Sequence, residues 1–384
     1  MRFRFYIFVL LITGFFFIFS QKCSAIVDPL SSQNNKFGIH ILEPSELEQA
    51  ANLVNSSGGD WGYVTIPIRA DDRYQEKWQA FFDKCGELHL IPILRLATYV
   101  RGNYWTKPTD GTLVDFANFL AELEWPTQNK YVVFFNEPNY ALEWGGRVDP
   151  QDYARVLLAG ARLFKEKDEN FFVLPAGLDA AAPNDNLHRE MFSFIRGMSQ
   201  AETEIFNVID GWVSHSYPNP GFVGNPLDTH KMSIVSYRHE INYLKKLGLS
   251  RNLPVFITET GWKLPEQFEV EKAENYKIAY EKSWNDESLV AITPFLLFAG
   301  DGDFLGFSMI KKDGSYSAAY KTILALKKNA GKVNFASKVL GTKTEAFRSK
   351  ITRAVNHDSF LSLLKFSREM FFLGPLKNIL ARSQ

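Results

Sequence analysis

The feature that most limits how this chain can fold is an eightfold alternation of short apolar runs with amphipathic stretches. The runs fall at 36–42, 61–69, 89–97, 131–136, 171–178, 210–217, 255–259 and 290–298, and each precedes a segment whose apolar residues recur at helical spacing. In the first unit Leu47, Ala50, Ala51 and Val54 keep that spacing, Ser45 and Glu48 stand at capping-box positions, and Gly58-Gly59 ends the run. Runs rich in β-branched and aromatic residues, apolar on both faces, belong to parallel strands covered by helices. No Gly-rich phosphate loop follows any of them, so the open nucleotide-binding sheet lacks its signature. The expectation is an α/β protein built as a closed (β/α)8 barrel over residues 36–331.

The flanks read differently. Residues 1–25 begin with Met1-Arg2-Phe3-Arg4, pass through an apolar stretch to Ser20 and reach Cys23-Ser24-Ala25, small residues of the kind a signal peptidase cuts beside. The stretch falls short of the ~20 residues that cross a bilayer, which favours a cleaved export signal over a retained anchor. The rest of the chain is therefore expected outside the cytoplasm, as an extracellular, periplasmic or cell-surface protein. Residues 26–35 read as a polar linker and 332–384 as a short basic helical extension, with Lys343, Arg348, Lys350 and Arg353 among its charges. These termini are the parts that would touch a membrane or envelope. Cys23 would leave with the signal, which isolates Cys85 on a helix as a core residue rather than a nucleophile. Basic and acidic residues number 43 each, which removes the electrostatic case for a nucleic-acid partner.

Two of the eight runs end in a glutamate: Glu137 after 131–136, and Glu259 closing 255–259. Active sites of such barrels lie at the C-terminal ends of the strands, where these side chains from the fourth and seventh strands would face one another. Hydrolysis of a glycosidic bond needs such a pair, one carboxylic acid to protonate the leaving oxygen and one carboxylate on the other side of the sugar. A separation of about 5–5.5 Å implies retention of configuration, and about 6.5–9.5 Å inversion. Arg95, inside the apolar run 89–97, needs an anion, and Glu259 is the expected one, with Arg69 a second candidate. Opposite pKa shifts would follow: Glu137 raised by the Glu259 charge, and Glu259 lowered by Arg95.

Asn136-Glu137-Pro138, Glu259 within Thr258-Glu259-Thr260-Gly261-Trp262, and His215-Ser216-Tyr217 after the sixth strand together resemble the retaining glycoside hydrolases of clan A. The resemblance implies Glu137 as acid/base, Glu259 as nucleophile, Asn136 on the sugar 2-hydroxyl and Tyr217 beside the nucleophile, acting on a β-linked oligo- or polysaccharide. Many relatives carry a tryptophan after strand eight, where this chain offers Phe298 or Phe295. Tyr104 and Trp105, Tyr140 and Trp144, and Trp262 are candidate sugar platforms on the mouth loops, whereas Trp61 belongs to the opposite mouth. Asp179, Asp301 and Asp303 are possible accessory carboxylates. No cofactor or metal is expected, since the seven histidines include no His-x-His pair. Two alternatives stay open: a non-catalytic carbohydrate-binding barrel, which would not need both glutamates, and a transglycosylase on the same scaffold.

Overall fold

A computed structural model describes residues 26–300 and 304–335. The segment expected to be an export signal, Asp301, Asp303 and nearly all of the basic extension lie outside the described residues. Eight parallel strands form the barrel: β1 Gly38–His40, β2 Gly62–Arg69, β3 Leu90–Ala97, β4 Lys130–Phe134, β5 Phe171–Pro175, β6 Trp212–His215, β7 Val255–Glu259 and β8 Leu289–Ile292. They pair in sequence order in two arcs, β1 to β5 and β6 to β8. Single bridges close the ring, Phe37 to Ile292 on one side and Asp179 to His215 on the other. The outer helices are α1 Leu47–Val54, α2 Gln75–Glu87, α3 Asp110–Glu122, α4 Pro150–Lys167, α5 Met191–Ala201, α6 Ser236–Lys246, α7 Glu269–Ile278 and α8 Ala318–Ala325. Among the described residues no helix is long and apolar enough to cross a membrane.

Alternation along each strand sorts the side chains into two cores. Outward residues such as Val64, Ile66, Leu94, Val132 and Val173 pack against the helices. Inward residues Tyr63, Ile91, Ile93, Tyr131, Val133, Phe172, Leu174, Val213 and Phe256 fill the barrel, which is therefore a packed core and not a pore. Cys85 is buried, and burial pushes its thiol well above the ordinary value, so it is an inert core residue as expected.

Two local expectations are corrected. The capping box before α1 uses Glu43 and Glu46 rather than Ser45 and Glu48: Glu46 Oε1 accepts from the N–H of Leu42 and of Glu43, both at 2.9 Å. Proline at position 44 starts a 3-10 turn over Pro44–Glu46, which moves the cap back two residues. Residues 26–35 are also no free linker. Ile26, Leu30 and Val333 cover the floor of the inner core, and the Lys332 N–H donates to Gln33 O at 2.8 Å. The buried Asn129 side chain accepts from the Val27 N–H at 3.0 Å, and donates to Val27 O at 2.7 Å and to the Tyr131 hydroxyl at 3.0 Å. Trp61 lies at this floor, stacked on His89 with ring centroids 4.7 Å apart. Asn129→Ala should lower stability by about 1–3 kcal/mol, read from the urea unfolding midpoint, because it strands both backbone groups of Val27.

Candidate active site

The upper mouth is where the strand alternation breaks, and each break delivers a polar side chain. On β4, Tyr131 and Val133 point inward, but Phe135 has φ +73° and turns its ring outward onto Trp144, 5.7 Å between centroids. Glu137 follows with φ +31°. Positive φ is uncommon for residues with a Cβ and clusters at functional sites. On β7, Phe256 points inward, so strict alternation would place Thr258 inside and Glu259 outside. The register instead slips opposite Ser214 and His215, pairing His215 with Glu259, and this bulge restores the glutamate to the interior.

The two glutamates meet across His215. Its Nδ1 is hydrogen-bonded to Glu137 Oε1 at 2.7 Å and lies 3.7 Å from Glu259 Oε2. An oxygen of each glutamate and the His215 nitrogen all lie within 4.8 Å of one another. Glu259 is surrounded: the Tyr217 hydroxyl donates to Oε2 at 3.1 Å, Arg95 Nη1 stands 3.5 Å from Oε1, and His40 Nε2 stands 3.8 Å from Oε1. Burial alone would raise the Glu259 pKa, but His215, Arg95, His40 and the Tyr217 hydrogen bond outweigh it and hold it below the ordinary value. Glu137 goes the other way, lifted by burial and by the Glu259 and Asp179 charges against the opposing pull of His215. His215 loses to burial but gains more from Glu259 and then Glu137, and ends above its ordinary value. His40 has no comparable partner, and burial drives it down to about 3, so it is neutral. Glu137, His215 and Glu259 are spaced as metal ligands could be, yet the Arg95 guanidinium beside Glu259 disfavours a further cation there.

Supporting contacts fix these groups. Asn139, fully buried, accepts from the Asp179 N–H at 3.1 Å and donates to Asp179 O at 2.9 Å, clamping the loops after β4 and β5. Beneath His215 the buried Glu240 accepts from the Trp212 indole and the Ser214 hydroxyl, both at 2.7 Å. Gly177 leaves the space the His215 ring fills, since any Cβ there would collide with the ring.

The platforms fared unevenly. Trp144 is 1% exposed and its indole donates to Asp152 Oδ2 at 3.0 Å; Trp262 is 0% exposed and donates to Gly224 O at 2.8 Å. Both are core residues, because the loops that carry them fold back over the helices. Arg69 is also misplaced, pairing with Asp71 at an exposed position. After β8 it is Phe295, 8% exposed and edge-on to His40 at 5.1 Å, that joins the site; Phe298 is 37% exposed and bridges to Ile310. Trp105 and Tyr140 stay half-buried on mouth loops, Tyr140 stacked on His188 at 4.6 Å. Asn136 keeps its carbonyl oxygen buried and without a partner. Sequence reading missed His40, whose only signal was a histidine at the end of an apolar run.

Solved structures share this architecture. A family 39 glycoside hydrolase from the gut symbiont Bacteroides cellulosilyticus WH2 aligns with TM-score 0.55 and 17% identity over 79% of this chain and 66% of that one. A glucosidase from Croceicoccus marinus gives TM-score 0.56 and 11% identity over 76% and 67%, respectively. The endo-β-1,4-glucanase of Xanthomonas axonopodis pv. citri, as a triple mutant, gives 0.51 and 13% over 76% and 98%. The chain has the barrel fold of these glycoside hydrolases. No protein-family model matches the sequence, and no curated protein matches it.

The charge network predicts two opposite titration shifts. Glu259→Gln should move the His215 imidazole titration, followed by NMR, to lower pH, because the charge that raises it most is gone. Arg95→Met should move it to higher pH, because a cation that lowers it is removed.

Proposed function

We propose that the protein is an exported retaining glycoside hydrolase that cleaves a β-linked glycan by double displacement. The observation that carries this reading is the carboxyl pair, with oxygens of Glu137 and Glu259 within 4.8 Å of each other at the C-terminal mouth. Oxygens no farther apart than that fall on the short side of the ~6.5–9.5 Å of inverting enzymes and favour the ~5–5.5 Å arrangement of retaining ones. In this reading Glu259, kept ionised by Arg95, His215 and Tyr217, attacks the anomeric carbon while Glu137 protonates the leaving oxygen. The glycosyl-enzyme ester then removes the Glu259 charge, the Glu137 pKa falls, and Glu137 takes a proton from the incoming water. Export is proposed from the N-terminal sequence pattern alone.

Glu137→Ala and Glu259→Ala should each lower kcat on an aryl glycoside by about a hundredfold or more. Azide should rescue Glu259→Ala with a glycosyl azide of inverted configuration, and Glu137→Ala with one of retained configuration on an activated leaving group. Wild-type rate in both variants would remove the pair from the chemistry. The pH profile should be bell-shaped. Its acid limb, protonation of Glu259, should fall below the ordinary carboxylate value, and its alkaline limb, ionisation of Glu137, above it. Glu137→Gln should erase only the alkaline limb when the leaving group needs no proton.

A further inference from the structure

The outer face of β6 differs from that of its neighbours. Outward residues such as Val64, Ile66, Leu94, Val132 and Val173 are apolar. On β6 and just beyond it they are Trp212, Ser214 and Ser216, and all three are hydrogen-bonded to α6. Glu240 of that helix is 2% exposed and accepts from the Trp212 indole and the Ser214 hydroxyl, both at 2.7 Å. The Ser214 and Ser216 hydroxyls lie 2.7 Å apart, and the Ser236 hydroxyl stands 2.9 Å from that of Ser216 and 3.3 Å from that of Ser214. Alternating with these serines are two residues of the mouth: His215, bonded to Glu137, and Tyr217, bonded to Glu259. One face of the segment therefore belongs to α6 and the other to the catalytic pair.

We propose that Glu240 is a positioning residue that fixes where Glu259 stands. Through Ser214 and Ser216 it holds β6 as the straight edge against which β7 bulges. This rests on the glycosidase reading above and adds to it a residue remote from the reacting atoms.

The bulge is where the register is decided. Ser214 pairs with Ile257 and His215 with Glu259, so Thr258 is the extra residue. Its hydroxyl is buried and unpartnered, which makes the bulge costly by itself. Past the bulge the Thr260 hydroxyl donates to Ser216 O at 2.6 Å, so β7 is tied to the residue whose own hydroxyl Ser214 and Ser236 hold. A slip of one residue would pair His215 with Thr258 and turn Glu259 toward the helices. Apolar side chains of the same shape would pack this face with no loss of stability, so the polar set serves to select one register.

The test replaces the whole set, Trp212→Phe, Ser214→Ala, Ser216→Ala, Ser236→Ala and Glu240→Leu together, so that no partner is left unpaired. The urea unfolding midpoint should stay close to that of the wild type, while kcat on an aryl glycoside falls about a hundredfold, the effect of displacing a reacting group by about 1 Å. The His215 imidazole titration, followed by NMR, should move to lower pH as the ring parts from Glu137 and Glu259. Glu240→Gln should lose less, because its amide oxygen keeps the indole while Ser214 turns its proton to Ser216. Wild-type kcat in a stable apolar variant would overturn the proposal. So would a loss in Glu240→Gln as deep as in the apolar variant, since charge rather than register would then matter. Should the apolar variant not fold, Ser214→Ala alone decides, with a fall in kcat of about tenfold expected and an unchanged rate ending the proposal. If the wild-type protein cleaves no glycoside of a panel, the glycosidase reading fails, and the His215 titration decides the network by itself: a move to lower pH sustains it, and an unchanged one ends it.

Discussion

The site depends on keeping one buried carboxylate charged. Taking Glu259 out of water costs several kcal/mol unless its partners return that energy, and a carboxyl left alone there would take up a proton. Arg95 supplies the countercharge, Tyr217 the hydrogen bond, and His215 and His40 complete the ring around it. The four partners come from three strands: His40 from β1, Arg95 from β3, and His215 and Tyr217 from the end of β6 and the segment just after it. The barrel is what brings these ends together, and its packed interior lets them stand at fixed distances.

The Glu259 charge organises its neighbour in turn. Glu137 shares the cavity and cannot ionise as readily beside a fixed negative charge, so two identical side chains acquire different proton affinities. His215 bridges them and holds its own proton against burial for the same reason. The difference between the glutamates thus lies in what surrounds them.

Much of this was legible in the sequence, because strand order and strand-end position are carried by local pattern. Glu137, Glu259, His215 and Tyr217 could be placed by counting strands, and Arg95 because a cation inside an apolar run needs an anion. What stayed hidden depends on departures from pattern. The bulge that returns Glu259 to the interior leaves no mark in an apolar run, and strict alternation would have pointed it outward. Trp144 and Trp262 lie in segments that look like exposed loops, and only the tertiary path shows their indoles buried and hydrogen-bonded. His40 carries no spacing signal; its meaning comes from Glu259, distant in the chain. The residues 26–35 read as a linker because their polarity resembles one, yet their polar groups are spent on the barrel floor.

That floor has a topological consequence. Residues 26–35 and 328–335 run side by side beneath the strands, joined by the Lys332 N–H to Gln33 O and by the Ser32 hydroxyl to Lys332 O at 3.2 Å. The ring of strands is already closed by the bridge from Phe37 to Ile292, so the described part of the chain begins and ends at one place on a nearly cyclic object. The covalent opening between β8 and β1 is then a matter of gene layout rather than of mechanics. A circular permutant that seals this seam and opens a different outer loop would keep the same mouth, with every strand end in its present position.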